Sequence, residues 1–193
     1  MIAIIKYNGG NVSSVQNALN RLKVDSIVTD DPELIIKADK VIFPGVGEAS
    51  STMKLLKEKG LDLLIPQLKQ PVLGICLGMQ LMCKENEEGN TEGLGIFDIR
   101  VKKFPSVDIV PHMGWNTISE QNSLLFSEIE NKSDVYFVHS YYCELSDYTT
   151  SVCDYILPFS SSLQKDNFYA VQFHPEKSGD IGSTIINNFI NLS

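Results

Sequence analysis

Hydrophobic positions follow two alternating periods along the first half of the chain. Ile2–Ile5 is a continuous apolar run of strand length, and Val12, Val15, Leu19 and Leu22 then recur on one face at helical spacing. Asp25–Thr29 predicts a second strand, and Asp31-Pro32-Glu33 opens a second helix with proline in its first turn. Lys40–Phe43 is a third strand running into Pro44-Gly45-Val46-Gly47. Helical spacing returns over roughly Ser50–Lys59 and Asp62–Leu68, and Pro71–Ile75 is the next strand, with a helix from Leu77 onward. This β-α-β-α rhythm predicts an α/β fold, a doubly wound and mostly parallel central sheet with helices on both faces. Ligands of such sheets bind at the carboxyl ends of the strands, where Cys76 and the glycine loops at 8–10 and 44–47 all fall.

Past residue 98 the segments shorten and become β-rich: Ile99–Phe104, Val107–His112, Val135–Tyr142, Thr150–Leu157 and Phe168–Phe173 read as strands, and a helix over about Ile181–Asn191 closes the pattern. No repeat or linker divides the chain, so one domain over residues 1–193 is expected. With 43% hydrophobic and 21% charged residues it is neither disordered nor membranous in composition, and a net charge of −8 argues against nucleic-acid binding. The apolar opening Met1–Ile5 is too short for a signal or a spanning helix, so a cytoplasmic protein is expected. Cys76, Cys83, Cys143 and Cys153 form no C-x-x-C pair and are read as reduced thiols. His112, His139 and His174 are scattered without paired spacing; neither a metal nor a cofactor is expected.

The chemistry concentrates in two segments. Gly74-Ile75-Cys76-Leu77-Gly78-Met79-Gln80 puts a cysteine on a glycine-flanked corner between strand and helix, the logic of a nucleophile elbow. Such a helix start and a nearby imidazole both favour the thiolate. Cys83, Cys143 and Cys153 lack such a corner and read as core residues. In Phe173-His174-Pro175-Glu176 a histidine and a carboxylate stand two apart at the end of an apolar strand, which would turn both toward one face, so that Glu176 orients the His174 ring. Alone this spacing is common on surfaces; joined to the elbow it supplies nucleophile, base and orienting acid. In Pro44–Gly47 the two glycines leave backbone N–H groups free, and Val46 with the N–H of Leu77 would form an oxyanion hole; a plain turn after a strand is the simpler alternative.

With these pieces in place the chain resembles the class I glutamine amidotransferases. Over nearly its full length it is similar to one branch, the glutaminase subunits of imidazole glycerol phosphate synthase in histidine biosynthesis. The branch-specific pieces are Pro44–Gly47, Pro111-His112-Met113-Gly114-Trp115-Asn116, Val138-His139-Ser140-Tyr141 and His174-Pro175-Glu176-Lys177-Ser178. The resemblance implies that Cys76 attacks the glutamine carboxamide, His174 protonates the departing ammonia and Glu176 holds His174. It implies further that Gly47, Gln80, Glu88 and the backbone around Ser140 and Tyr141 hold glutamine, although Glu85–Glu88 also reads as a solvated face. The ammonia would pass to a separate (β/α)₈ cyclase subunit in a heterodimer. Asn11, Trp115, Tyr136 and Lys177 match the family's positions at that docking face; a core tryptophan and a merely exposed lysine are the alternatives. The loop Tyr7-Asn8-Gly9-Gly10-Asn11 departs slightly from the family's pattern. Three other functions compete: an amidotransferase that serves another acceptor such as a surface sugar, a stand-alone cysteine hydrolase, and a catalytically silent module.

Overall fold

The computed structural model describes residues 1–7 and 11–192; Asn8, Gly9 and Gly10 of the predicted first loop, and Ser193, lie outside the described residues. Five parallel strands form the centre, in the spatial order Ser26–Thr29, Ile2–Ile5, Lys40–Phe43, Val72–Ile75 and Phe168–Val171. Successive side chains of a strand point to opposite faces. Accordingly Ala3, Ile5, Val41 and Val72 join one core, while Ile2, Ile4, Ile42, Leu73 and Ile75 join the other. Both faces of the inner strands are covered, which is why these strands are mostly apolar instead of alternating.

Helix Val12–Arg21 and the last helix, Gly179–Ile190, bury Val15, Leu19, Ile185 and Phe189 in the second core. Helices Pro32–Lys37, Ala49–Glu58 and Leu77–Met82 bury Ile35, Met53, Leu56 and Met79 in the first. Glu48 starts Ala49–Glu58: the Ser50 hydroxyl and then the Ser51 N–H hold its carboxyl down to about 2. The beginning of Leu77–Met82 is tied to the Pro44–Gly47 turn by close backbone approach. A Cβ on Gly78 would lie 2.0 Å from the Phe43 carbonyl oxygen, and one on Gly45 would lie 2.2 Å from the Gly78 nitrogen. Only glycine permits this contact, and it sets the turn beside Cys76.

The C-terminal half is antiparallel in the main. Phe168–Val171 pairs with Leu157–Lys165, and the sheet continues through Tyr141–Cys143 to Phe97–Lys103. A ribbon of Thr149–Tyr155, His112–Ser119 and Ser133–His139 extends from Leu157–Lys165.

Here the structure corrects several expected boundaries. Val107–His112 is not a strand; Pro105 and Pro111 bracket a turn, and the strand is His112–Ser119, because proline offers no ladder donor. Val135–Tyr142 is two strands interrupted at Ser140. Thr150–Leu157 ends at Tyr155, where Ile156 takes φ 62° and returns the chain as a second strand that carries no Gly or Asn turn signal.

Candidate active site

Cys76 sits between strand Val72–Ile75 and helix Leu77–Met82 with φ 51° and ψ −109°, a conformation costly for a residue with a side chain. It is held there because its N–H donates to the Val171 carbonyl at 2.8 Å while its own carbonyl accepts the Gln80 N–H. The corner aims the thiol into a cavity of about 350 Å³. His174 lines the same cavity, as do Val46 and Leu77 of the expected oxyanion hole. Gly47, Gln80, Glu88, Ser140 and Tyr141 line it too.

His174 reaches Cys76 by a different local route from the one expected. The strand ends at Val171, and His174 precedes the single helical turn Pro175–Lys177. That turn, not strand alternation, brings Glu176 Oε1 to 2.8 Å from His174 Nδ1. Asn11 donates its side-chain N–H to the same carboxylate oxygen, so this expected docking residue also braces the carboxylate that faces His174. His174 Nε2 has no hydrogen-bond partner among the described residues, and the nearby Cys76 sulfur acts on the ring. Burial pulls the imidazolium down, but Cys76 and then Glu176 outweigh it and hold the His174 pKa up to about 10.

At the substrate end, Glu88 is half-buried, and burial raises its pKa; Oε2 accepts the Ala49 N–H at 2.8 Å. Gln80 is buried, with Nε2 donating at 3.0 Å to the Tyr141 carbonyl and to Gln172 Oε1. The Tyr7 hydroxyl donates to the Pro44 carbonyl, and the Val46 N–H faces that same hydroxyl.

His139 lines the cavity and is paired with His112 behind it; sequence reasoning assigned neither a role. His139 Nδ1 is 2.7 Å from the Tyr141 carbonyl, which can only accept, so Nδ1 carries the proton. His139 Nε2 must then accept from His112 Nδ1 at 2.9 Å, and His112 Nε2 accepts from Asn116 at 3.2 Å. Every link requires neutral rings. Burial lowers His112 to about 4 and His139 to about 3. The unfolded chain protonates both near pH 6.5 and the folded one does not, so stability is present above pH 6.5 and falls as the pH drops toward 4. His174, with its raised pKa, works the other way: its contribution is full below pH 6.5 and is lost as the pH rises toward 10, so it offsets only a small part of this loss. Chemical denaturation at pH 6.5 and pH 5 is expected to show a loss on the order of 3 kcal/mol, and His112→Asn should flatten that slope.

The Glutamine amidotransferase class-I family matches residues 4–192. The chain belongs to that family. Among curated relatives, it is 59% identical over 194 residues to "Imidazole glycerol phosphate synthase subunit HisH" of Bacteroides fragilis, covering 99% of each chain. It is 44% identical to the protein of that name from Vibrio parahaemolyticus, covering 99% of this chain and 98% of the relative. It is 48% identical to "Imidazole glycerol phosphate synthase subunit HisH 2" of Methanococcus maripaludis, covering 98% of each. A solved structure described as a putative GMP synthase component from Thermoplasma acidophilum shares the fold, with TM-score 0.76 at 21% identity over 98% of this chain and 91% of that one.

Within this amidotransferase, the remaining expected docking residues form one exposed cluster. Trp115 is 58% exposed, which removes the core alternative. It stands opposite Tyr136 across the strand pair, with ring centroids 6.1 Å apart, and Lys177 Nζ lies 6.0 Å from the Tyr136 ring. The Tyr136 carbonyl accepts the His174 N–H at 2.9 Å, so this cluster is one hydrogen bond from His174. Cys83, Cys143 and Cys153 are buried free thiols, as core residues should be. No helix among the described residues is long and apolar enough to cross a membrane.

Proposed function

We propose that this chain hydrolyses glutamine with a Cys76–His174–Glu176 triad, as the glutaminase subunit of imidazole glycerol phosphate synthase. The observation that carries the reading is the convergence of a strained cysteine, a carboxylate-braced histidine and a half-buried Glu88 on one cavity. Cys76, its proton already on His174, attacks the carboxamide carbon as the thiolate. The carbonyl oxygen takes up negative charge against the N–H groups of Leu77 and Val46. Collapse breaks the C–N bond, and His174 protonates the leaving nitrogen, releasing ammonia and leaving a γ-glutamyl thioester. Water, deprotonated by His174, cleaves the thioester to glutamate and restores the thiolate. Glu88 suits the substrate ammonium, and Gln80, whose Nε2 is already bound to protein, offers the cavity its carbonyl oxygen.

The ammonia goes to a (β/α)₈ cyclase subunit that builds imidazole glycerol phosphate and its carboxamide by-product in histidine biosynthesis. The full-length likeness to subunits bearing that name supports this acceptor over a surface sugar. The Trp115, Tyr136 and Lys177 cluster, with Asn11, is the docking face. Trp115→Ala is expected to weaken cyclase affinity about thirtyfold, the scale of a buried aromatic anchor. Its melting temperature should change by less than about 2 °C because the ring is exposed in the free chain. Calorimetric titration and thermal unfolding check both. The proposal as a whole is tested by glutamate release from glutamine, measured for the chain alone and with the cyclase and its nucleotide substrate. Strong stimulation supports a gated subunit, and equal rates would indicate a free-standing hydrolase.

A further inference from the structure

Gln172 has no part in the mechanism above, yet it touches the reacting sulfur. It follows strand Phe168–Val171, whose register against Val72–Ile75 pairs Val171 with Ile75 and so sets Gln172 beside Cys76. It is fully buried and does not line the cavity. Its Nε2 lies 3.6 Å from Cys76 Sγ, an ordinary distance for an N–H donating to sulfur, and its Oε1 accepts from Gln80 Nε2 at 3.0 Å.

The direction of this carboxamide is dictated by its partners. The Tyr141 carbonyl can only accept, so it meets the amino end of Gln80. That amino group can only donate, so it meets the carbonyl end of Gln172, and the amino end of Gln172 is left facing the sulfur. Turning the Gln172 carboxamide over would set two donors face to face and point a lone pair at Cys76. The neighbouring acceptor is the Val138 carbonyl, 3.8 Å from Sγ. That carbonyl suits the thiol, which can donate to it, and opposes the thiolate. Among the groups around the sulfur, Tyr7 is buried and neutral and His174 lies on the cavity side. A fixed N–H donor on the buried side therefore acts selectively on the charged, attacking form.

We infer that Gln172 is a fourth catalytic residue, whose side-chain N–H stabilises and aims the Cys76 thiolate while Gln80 and the Tyr141 carbonyl lock its orientation. The inference rests on Cys76 being the nucleophile. The test uses the complex with its cyclase, comparing wild type with Gln172→Met and Gln172→Glu. Glutamine-dependent kcat is expected to fall about tenfold or more in Gln172→Met, the scale of one charge-assisted hydrogen bond. KM for glutamine should change less than threefold, because Gln172 does not line the cavity. Alkylation of Cys76 by iodoacetamide, followed by mass spectrometry across pH, should shift its profile to higher pH. Gln172→Glu keeps the shape and the Gln80 contact, so it serves if the methionine variant does not fold, and its profile should shift further. A kcat within twofold of wild type with a superimposable alkylation profile, in a variant of native melting temperature, overturns the inference. Glutamine turnover retained by Cys76→Ser would instead overturn the triad reading beneath it. Calorimetric titration with the cyclase, unchanged in the Gln172 variants, shows that docking is intact.

Discussion

Cys76→Ala is expected to reduce glutamine-dependent synthesis by the complex at least about a thousandfold while leaving synthesis from ammonium salts intact. Removing the nucleophile of a covalent mechanism leaves only the binding and electrostatic contributions, and losses of 10⁴–10⁶ are measured when such groups are deleted. The fold should survive. The side chain is only 7% exposed but small, it packs at the edge of the cavity, and alanine bears the same strained φ at no greater cost. The ammonia-dependent reaction needs the cyclase but no cysteine, so it shows the acceptor chemistry intact, and calorimetric titration with the cyclase separates loss of chemistry from loss of assembly. Steady-state assays with glutamine and with ammonium chloride decide the matter. Lost glutamine-dependent activity together with weakened cyclase binding or a lowered melting temperature would assign Cys76 to docking or folding.

Glutamate release by the wild-type chain is expected to be slow alone and to rise about 10²–10³-fold when the substrate-loaded cyclase is bound. That factor is the typical contribution of one oxyanion-hole donor. Leu77 begins a helix, so its N–H has no intrahelical partner and is available at once. The Val46 N–H instead faces the Tyr7 hydroxyl, which is anchored on the Pro44 carbonyl. Val46 is 38% exposed, and Asn11, at the expected docking face, bonds the triad carboxylate, so a bound partner has access to both elements. Because the donor acts only on the developing oxyanion, the rise should appear in kcat with little change in KM. A free chain as fast as the complex would remove the gate.

Much of this site is legible in linear order. The elbow around Cys76 is local: an apolar strand, a glycine on each side and a helix start within a few residues specify it, and the structure reproduces it. The central strands are legible too, since burial on both faces of the inner ones leaves short, mainly apolar runs. The C-terminal half is less so. Its strands are half-exposed, so their apolar residues alternate only weakly, and the turn at Ile156 carries no special residue. Tyr7, His112, His139 and Gln172 show the limit most clearly. Each is an ordinary polar or aromatic residue in its own segment, and each acquires its role from a partner far along the chain. The sequence by itself determined the glycine-flanked corner that carries Cys76, the spacing of His174 and Glu176, most of the parallel core and the family. Only the tertiary structure decided which way the Gln172 carboxamide points, which histidine nitrogens carry protons, and that Trp115 stands outside the core. Those properties belong to hydrogen-bond partners and solvent exposure, which residue order along the chain does not encode.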